Sequence, residues 1–251
     1  MKIKSLLLAL TLLFLSAPSY AQFEGQMDIE VHDRSNENAE VTQLSLTTTK
    51  DRIFIDSAAK VNVVSGLQTD GILIRNDLQD FVFRTDENEA LKVSKSDLDG
   101  LIQMINRFQG GSSGSEKKEK FDWETRVEET GNSRTIHGYS ANEFTLKGEE
   151  ENQYVSIWLT DEIKVNWGLL LDFWYESGEN FTDSDIPIEL VLNKNSFPLL
   201  VDVYDEGEVV YSAKVTGINT DNFDRSTVEL SDDVTLIGFS DMMMNMFRQR
   251  R

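Results

Sequence analysis

A chain of 251 residues with 24 Lys and Arg against 44 Asp and Glu, and with no cysteine, excludes several classes of protein at once. Its acidity opposes binding to nucleic acid or to anionic lipid headgroups, and the lack of thiols removes disulfides, iron–sulfur clusters, cysteine zinc sites, a thiol nucleophile and a lipid-modified cysteine. Stability must come from a packed core, for which this length is ample in one or two domains.

Residues 1–21 read as a secretory leader: Lys2 and Lys4 form a positive start, Leu6 to Leu15 an apolar core, and Ser19, Tyr20 and Ala21 a small-x-small cleavage site. The apolar run is shorter than the ~20 residues that span a bilayer comfortably, an uncleaved anchor being the alternative. Cleavage leaves a mature chain from Gln22, with 22 Lys and Arg against 44 Asp and Glu, and a periplasmic or secreted address. The expected organisation is one domain over residues 22–251, with residues 109–120, QGGSSGSEKKEK, as a flexible loop inside it.

The mature chain opens on strict alternation. Phe23, Gly25, Met27, Ile29 and Val31 interleave with Glu24, Gln26, Asp28, Glu30 and His32, the period of a two-faced strand. Leu44 and Leu46, Ile53 and Ile55, residues 71–74, residues 81–83, and Leu91 with Val93 mark further strands, separated by polar turns at 33–38, 77–80 and 86–89. Spacings this short favour antiparallel neighbours. Leu98, Leu101, Ile102, Ile105 and Phe108 then recur at helical steps, with Ser96 placed as an N-cap.

After the flexible loop, Phe121, Trp123, Thr125 and Val127 alternate as a strand leading into residues 134–162. These read as two long strands joined by an acidic turn, the spine of the sheet. Val155, Ile157 and Leu159 oppose Tyr154, Ser156, Trp158 and Thr160, while the first strand changes phase near Gly138, as at a β-bulge. Residues 166–176, NWGLLLDFWYE, form an unusually apolar helix with Trp167, Leu170, Leu171 and Trp174 on one face and Leu169 and Phe173 widening it. Ile188, Leu190 and Leu192, then Leu199, Val201 and Val203, then Val209, Tyr211, Ala213 and Val215, and finally Val228 with Leu230 complete the strands before a Met-rich end. The fold class is therefore mainly β with a few helices: a curved antiparallel sheet or half-barrel whose helices cover the concave face.

Chemistry is sparse. Gly138, Tyr139, Ser140, Ala141 and Asn142 lack the second glycine of a nucleophile elbow. The two histidines, His32 and His137, read as polar strand-face residues and form no HExxH pair. Asp183 and Asp185, and Asp221, Asn222 and Asp224, are oxygen-rich but do not match a calcium loop, and turns favour such residues for backbone reasons alone. No phosphate-binding glycine motif is present, so no cofactor is expected.

Three sets of stretches resemble a family of bacterial envelope proteins known as a domain of unknown function, which shares the fold of the lipoprotein carriers LolA and LolB. They are FEGQMDIEV after the leader; GNSRTIHGYSANEF followed by VSIWLTDEI; and NSFPLLVDVY with AKVTGINTDNFDRSTVEL. The resemblance implies a half-barrel with helices over its concave face and an address in the envelope. Many relatives carry a cysteine shortly after the Gly-Tyr pair and a Pro-Gly-Tyr near the end, where this chain has Ala141 and Leu230, Ser231 and Asp232. No lipoprotein-binding residue carries over.

The function expected from these readings is an exported, non-enzymatic envelope protein that binds a lipid, an acyl chain or an apolar partner segment in a half-barrel cavity. Trp158, Trp167, Leu170, Leu171 and Trp174 are its ligand-facing candidates. The alternative is an interaction module with a packed core that works through its acidic surface, and a carboxylate-pair hydrolase is third. The expected partners are a hydrophobic ligand and another envelope protein, with no nucleic acid and no integral membrane span.

Overall fold

The structure is a computed structural model that describes residues 22–34, 40–64, 67–86, 88–98, 100, 127–148, 152–177, 195–242 and 244. The leader, the 109–120 loop, the expected helix beyond residue 100, the strands expected at 121–126 and 188–192, the pair Asp183 and Asp185, and the last residues of the Met-rich end lie outside this description.

Twelve strands make one open, curved sheet: β1 (Gly25–Asp33), β2 (Glu40–Thr48), β3 (Arg52–Val64), β4 (Leu67–Arg75), β5 (Asp80–Asp86), β6 (Glu89–Ser94), β7 (Val127–Ile136), β8 (Tyr139–Lys147), β9 (Tyr154–Thr160), β10 (Phe197–Asp205), β11 (Glu208–Asn219) and β12 (Thr235–Gly238). Their order is β12-β6-β5-β4-β3-β2-β1-β11-β10-β9-β8-β7. Two meanders, β1 to β6 and β7 to β11, thus join where β1 pairs β11, and the sheet is continuous across the stretch that separates them in sequence. Every pairing is antiparallel except β12 on β6, which is parallel. The fold is mainly β with few helices, among them α1 (Gly168–Ser177).

Alternation decides which residues are buried. On β1 to β6 one face carries Met27, Leu46, Ile53, Ile74, Phe81, Phe83, Leu91 and Val93 into a cluster completed by Ile163, Val165, Trp167 and Leu169. The other face carries Phe54, Leu73, Val82 and Ala90, on which Val228 packs. Gly71 is needed there, because a Cβ would stand 2.7 Å from the Phe54 ring. A third cluster, Leu146, Val155, Ile157, Leu159, Val201 and Val203, lies at the β8 to β10 end. The register slips between Pro198 and Leu200, so Phe197 pairs with Thr160 whereas Val201 pairs with Ile157. That one extra residue puts Phe197 and Val201 on opposite sides of β9, and a bulge of this kind bends the strand.

Three expectations are corrected here. The phase change near Gly138 is not a bulge within one strand: His137 and Gly138 have φ of 49° and 88°, and Ile136 pairs with Tyr139 across them. Two successive positive φ values are the signature of a tight two-residue hairpin. His137 is accordingly a turn residue, its Nε2 2.9 Å from the Val215 carbonyl oxygen that accepts from it. The 134–162 segment therefore contributes parts of three strands near one edge of the sheet rather than its spine. Val228 and Leu230, in turn, do not form a strand. Asp224 Oδ1 accepts from the Ser226 backbone N–H at 2.9 Å and caps a 3-10 turn, Arg225–Val228, that lays Val228 on the Phe54 face. The last strand is β12 instead, a segment too short and too exposed for its alternation to be read.

Among the described residues one ion pair is buried on both sides. Arg75 Nε and Nη2 donate to Asp80 Oδ1 and Oδ2 at 2.6 and 2.8 Å, closing the β4–β5 hairpin, with side-chain exposures of 9% and 2%.

Candidate functional site

Helix α1 and the cluster beneath it form the candidate site. The leucine run 169–171 favours a helix, but its start is set from elsewhere in the chain. Asn76, in the β4–β5 turn, accepts from the Leu169 backbone N–H through Oδ1 at 2.9 Å and donates through Nδ2 to the Asn166 carbonyl oxygen at 2.9 Å. It serves as an N-cap supplied by another part of the fold. Asn76 is itself fixed, its N–H donating to the Asp51 carbonyl oxygen at 2.8 Å and its own carbonyl oxygen accepting from Gln79 at 2.6 Å. Farther along the helix, Lys95 forms an ion pair with Asp172, both about half exposed, which contributes roughly 1 kcal/mol or less.

Gly168 is required by this clamp. Its φ is +34°, and a Cβ would lie 2.4 Å from Asn76 Oδ1. Gly168→Ala is expected to lower stability by about 1–2 kcal/mol, the worth of the cap. In an Asn76→Ala background the same change should cost less, since the clashing atom has gone; equal costs in both backgrounds, measured by urea unfolding, would show that the two residues are not coupled.

The cluster brings four of the five candidate residues together. Trp167 is buried and stacks on Phe197, centroids 6.0 Å apart at 13°, while Trp158, Leu170 and Leu171 are partly buried against the same cluster. The Trp174 side chain lies outside the described residues. Leu169 is the most deeply buried of the described helix residues at 1% exposure, although the helical stripe places it at the margin. Trp158 sits beneath Arg134, whose guanidinium carbon is 3.8 Å from the ring centroid. Asn76 carries no local signal beyond its place in a turn; its function depends on a helix ninety residues downstream.

Beside Trp158, Glu143 gathers three donors: Asn132 Nδ2 at 2.8 Å, Thr130 Oγ1 at 3.0 Å and Ser156 Oγ at 2.7 Å. The Asn132 amide above all, with the Ser156 and Thr130 hydroxyls, holds its carboxyl below the ordinary 4.5, against the opposing effect of burial. A depressed carboxyl pKa contributes stability that is present above the ordinary value and lost as the pH falls through the folded one. Stability of the native chain should thus drop more steeply below about pH 4.5 than that of Glu143→Gln. Parallel acid profiles of the two proteins would refute this.

Several other polar groups serve the backbone. Asn219 Oδ1 accepts from the N–H groups of Asp221 and Asn222 at 3.3 and 3.1 Å, and Asp224 is a cap. His32 Nε2 lies 2.5 Å from Glu30 on the β1 face. Among the described residues no group of three or more His, Asp or Glu is placed to hold a metal, and no helix is long and apolar enough to cross a membrane.

The family model described as Domain of unknown function (DUF4412) matches residues 102–233, just over half of the chain. No curated protein matches it. Among solved structures, PNGF-II is 12% identical at a TM-score of 0.41, over 92% of this chain and 34% of its own; this chain spans about a third of the PNGF-II structures it matches. An uncharacterized conserved protein from Thermus thermophilus is 8% identical at 0.38, over 92% of this chain and 99% of its own. The LolA superfamily protein NE2245 from Nitrosomonas europaea is 11% identical at 0.31, over 83% and 91%.

Proposed function

This chain belongs to the DUF4412 family, and from that premise we propose that it is an exported, non-enzymatic envelope protein that takes a lipid, an acyl chain or an apolar partner segment between the sheet and helix α1. On this reading residues 22–251 act as one domain, released from the leader, and Trp158, Trp167, Leu170, Leu171 and Trp174 face the ligand. The observation that carries it is the way the cover is attached. Helix α1 lies on an extended apolar face, and its described polar ties are the Asn76 clamp, a long 3.5 Å contact from Asn166 to the Lys50 carbonyl oxygen and one surface ion pair. Such ties are cheap to break, and an apolar site with few polar groups suits a hydrophobic ligand.

The test uses the mature chain. Titration with a hydrophobic reporter dye, and mass spectrometry of an organic extract of the purified protein, should reveal saturable binding or a copurified lipid. Asn76→Ala should speed dye uptake by loosening the cover. A protein that stays empty and leaves the dye dark would defeat the proposal.

A second reading draws on the exclusion of solvent from Met27, Ile74, Leu98, Ile163 and Leu199, all at 0% exposure. An interior packed this tightly also suits an interaction module that captures a basic partner through its acidic surface. That version expects salt-sensitive capture of a basic protein and no dye binding.

A further inference from the structure

Three buried side-chain polar atoms among the described residues lack a hydrogen bond: Asp70 Oδ1, Arg84 Nε and Trp167 Nε1. The first two face each other as an ion pair at 3.4 Å. Trp167 is different. The residue is 4% exposed, its indole nitrogen is enclosed, and no described residue supplies it an acceptor or a charge. An indole nitrogen only donates, and a buried one ordinarily finds an acceptor, because leaving it unpaired forfeits its hydration with nothing in return.

Its position gives that donor a meaning. Trp167 immediately precedes α1, stacks on Phe197 of β10, and belongs to the cluster that the helix covers. The neighbouring helix N–H of Leu169 is already taken by Asn76, and that of Leu170 by the Trp167 carbonyl oxygen at 2.8 Å. Among the described side chains at the helix entrance, the indole N–H is therefore a donor left for a guest.

We propose that Trp167 Nε1–H is the polar anchor of the ligand site, donating to the neutral carbonyl oxygen of an acylated ligand whose hydrocarbon chain lies on the apolar cluster. The inference rests on the ligand-binding reading above and narrows it to ester- or amide-linked acyl groups. A free carboxylate is disfavoured, since it would carry an uncompensated charge into an apolar cluster. A plain hydrocarbon would fill the same surface but leave the donor unpaired.

The experiment displaces a hydrophobic reporter dye from the mature chain with methyl octanoate, N-methyloctanamide, octanoate and an alkane of equal length, in native protein and Trp167→Phe. The ester, the amide or both should bind about tenfold more tightly than the alkane to the native chain. In Trp167→Phe the ester and amide should lose that advantage over the alkane, whatever loss of packing all the ligands share. The relative strength of ester and amide distinguishes an ester-linked lipid from an amide-linked acyl chain. In the native chain the indole ¹H–¹⁵N resonance assigned to Trp167 should move downfield with the carbonyl ligand and not with the alkane, a readout that survives even if the variant folds poorly. An unchanged carbonyl advantage in Trp167→Phe, octanoate at neutral pH binding as well as the ester, or an indole resonance indifferent to the ligand would overturn the anchor. Failure of dye and all four ligands to bind would instead defeat the ligand-binding reading itself.

Discussion

Asp80→Ala should cost about 3–5 kcal/mol of stability, the usual penalty for breaking a buried ion pair from one side. The reason lies in what is left behind. The Arg75 side chain is 9% exposed, and two of its donors point at the carboxylate being removed. The other described cation within reach of Asp80, Lys92 at 3.5 Å, would add repulsion once the carboxylate is gone. The loss belongs to the orphaned guanidinium rather than to the pair itself, so the double replacement Arg75→Met with Asp80→Leu should recover most of it. Urea unfolding of these variants decides the matter. A single-variant loss below about 1 kcal/mol would place the pair with ordinary surface bridges. A functional consequence also follows, because the Arg75–Asp80 pair closes the hairpin whose turn carries Asn76. Loosening that turn should loosen the start of α1, and dye uptake should quicken in Asp80→Ala as it does in Asn76→Ala.

Where sequence and structure agree, residue spacing alone suffices to predict burial. The alternation from Phe23 to Val31 places Met27 inside at 0% exposure, and the same period identifies β2 to β6 and β9 to β11. Disagreement begins where one residue changes the phase. At His137 and Gly138 a parity switch fits a bulge and a two-residue turn equally well, and only the positive φ of both residues decides between them. Ser96 has the right distance from the apolar stripe for a cap, yet the turn starts a little earlier. Ser94 is the N-cap of the 3-10 turn Lys95–Asp97, and its backbone N–H donates to Asp97 at 3.3 Å. The candidate site shows the same division. Trp167, Leu170 and Leu171 are visible as a helical stripe, because a stripe is a local pattern. Asn76 and Gly168 are not, because a cap donated across ninety residues and a glycine required by that cap have no periodicity.

Leu169→Ala should also be costly, by about 2–5 kcal/mol for a fully buried leucine, and it separates the two readings of the interior. Leu169 is 1% exposed while its neighbours Leu170 and Leu171 are only partly buried, so Leu170→Ala should cost distinctly less. The difference between the two variants measures how firmly the first turn of α1 is seated. Truncation at Leu169 leaves a void in the cluster that holds Trp167, under a helix whose described polar ties are the Asn76 clamp, the long Asn166 contact with Lys50 and a half-exposed ion pair. If the helix is a cover over a ligand site, that void joins the site, and Leu169→Ala should bind the hydrophobic dye more tightly than the native chain even as its unfolding midpoint falls. If the interior is merely a packed core, stability falls and the native chain binds no dye, whatever the new cavity of the variant takes up. Dye binding in both proteins, tighter in Leu169→Ala as its stability falls, is therefore the result that the cover predicts and the packed core does not, provided the dye is measured at a urea concentration where both proteins remain folded.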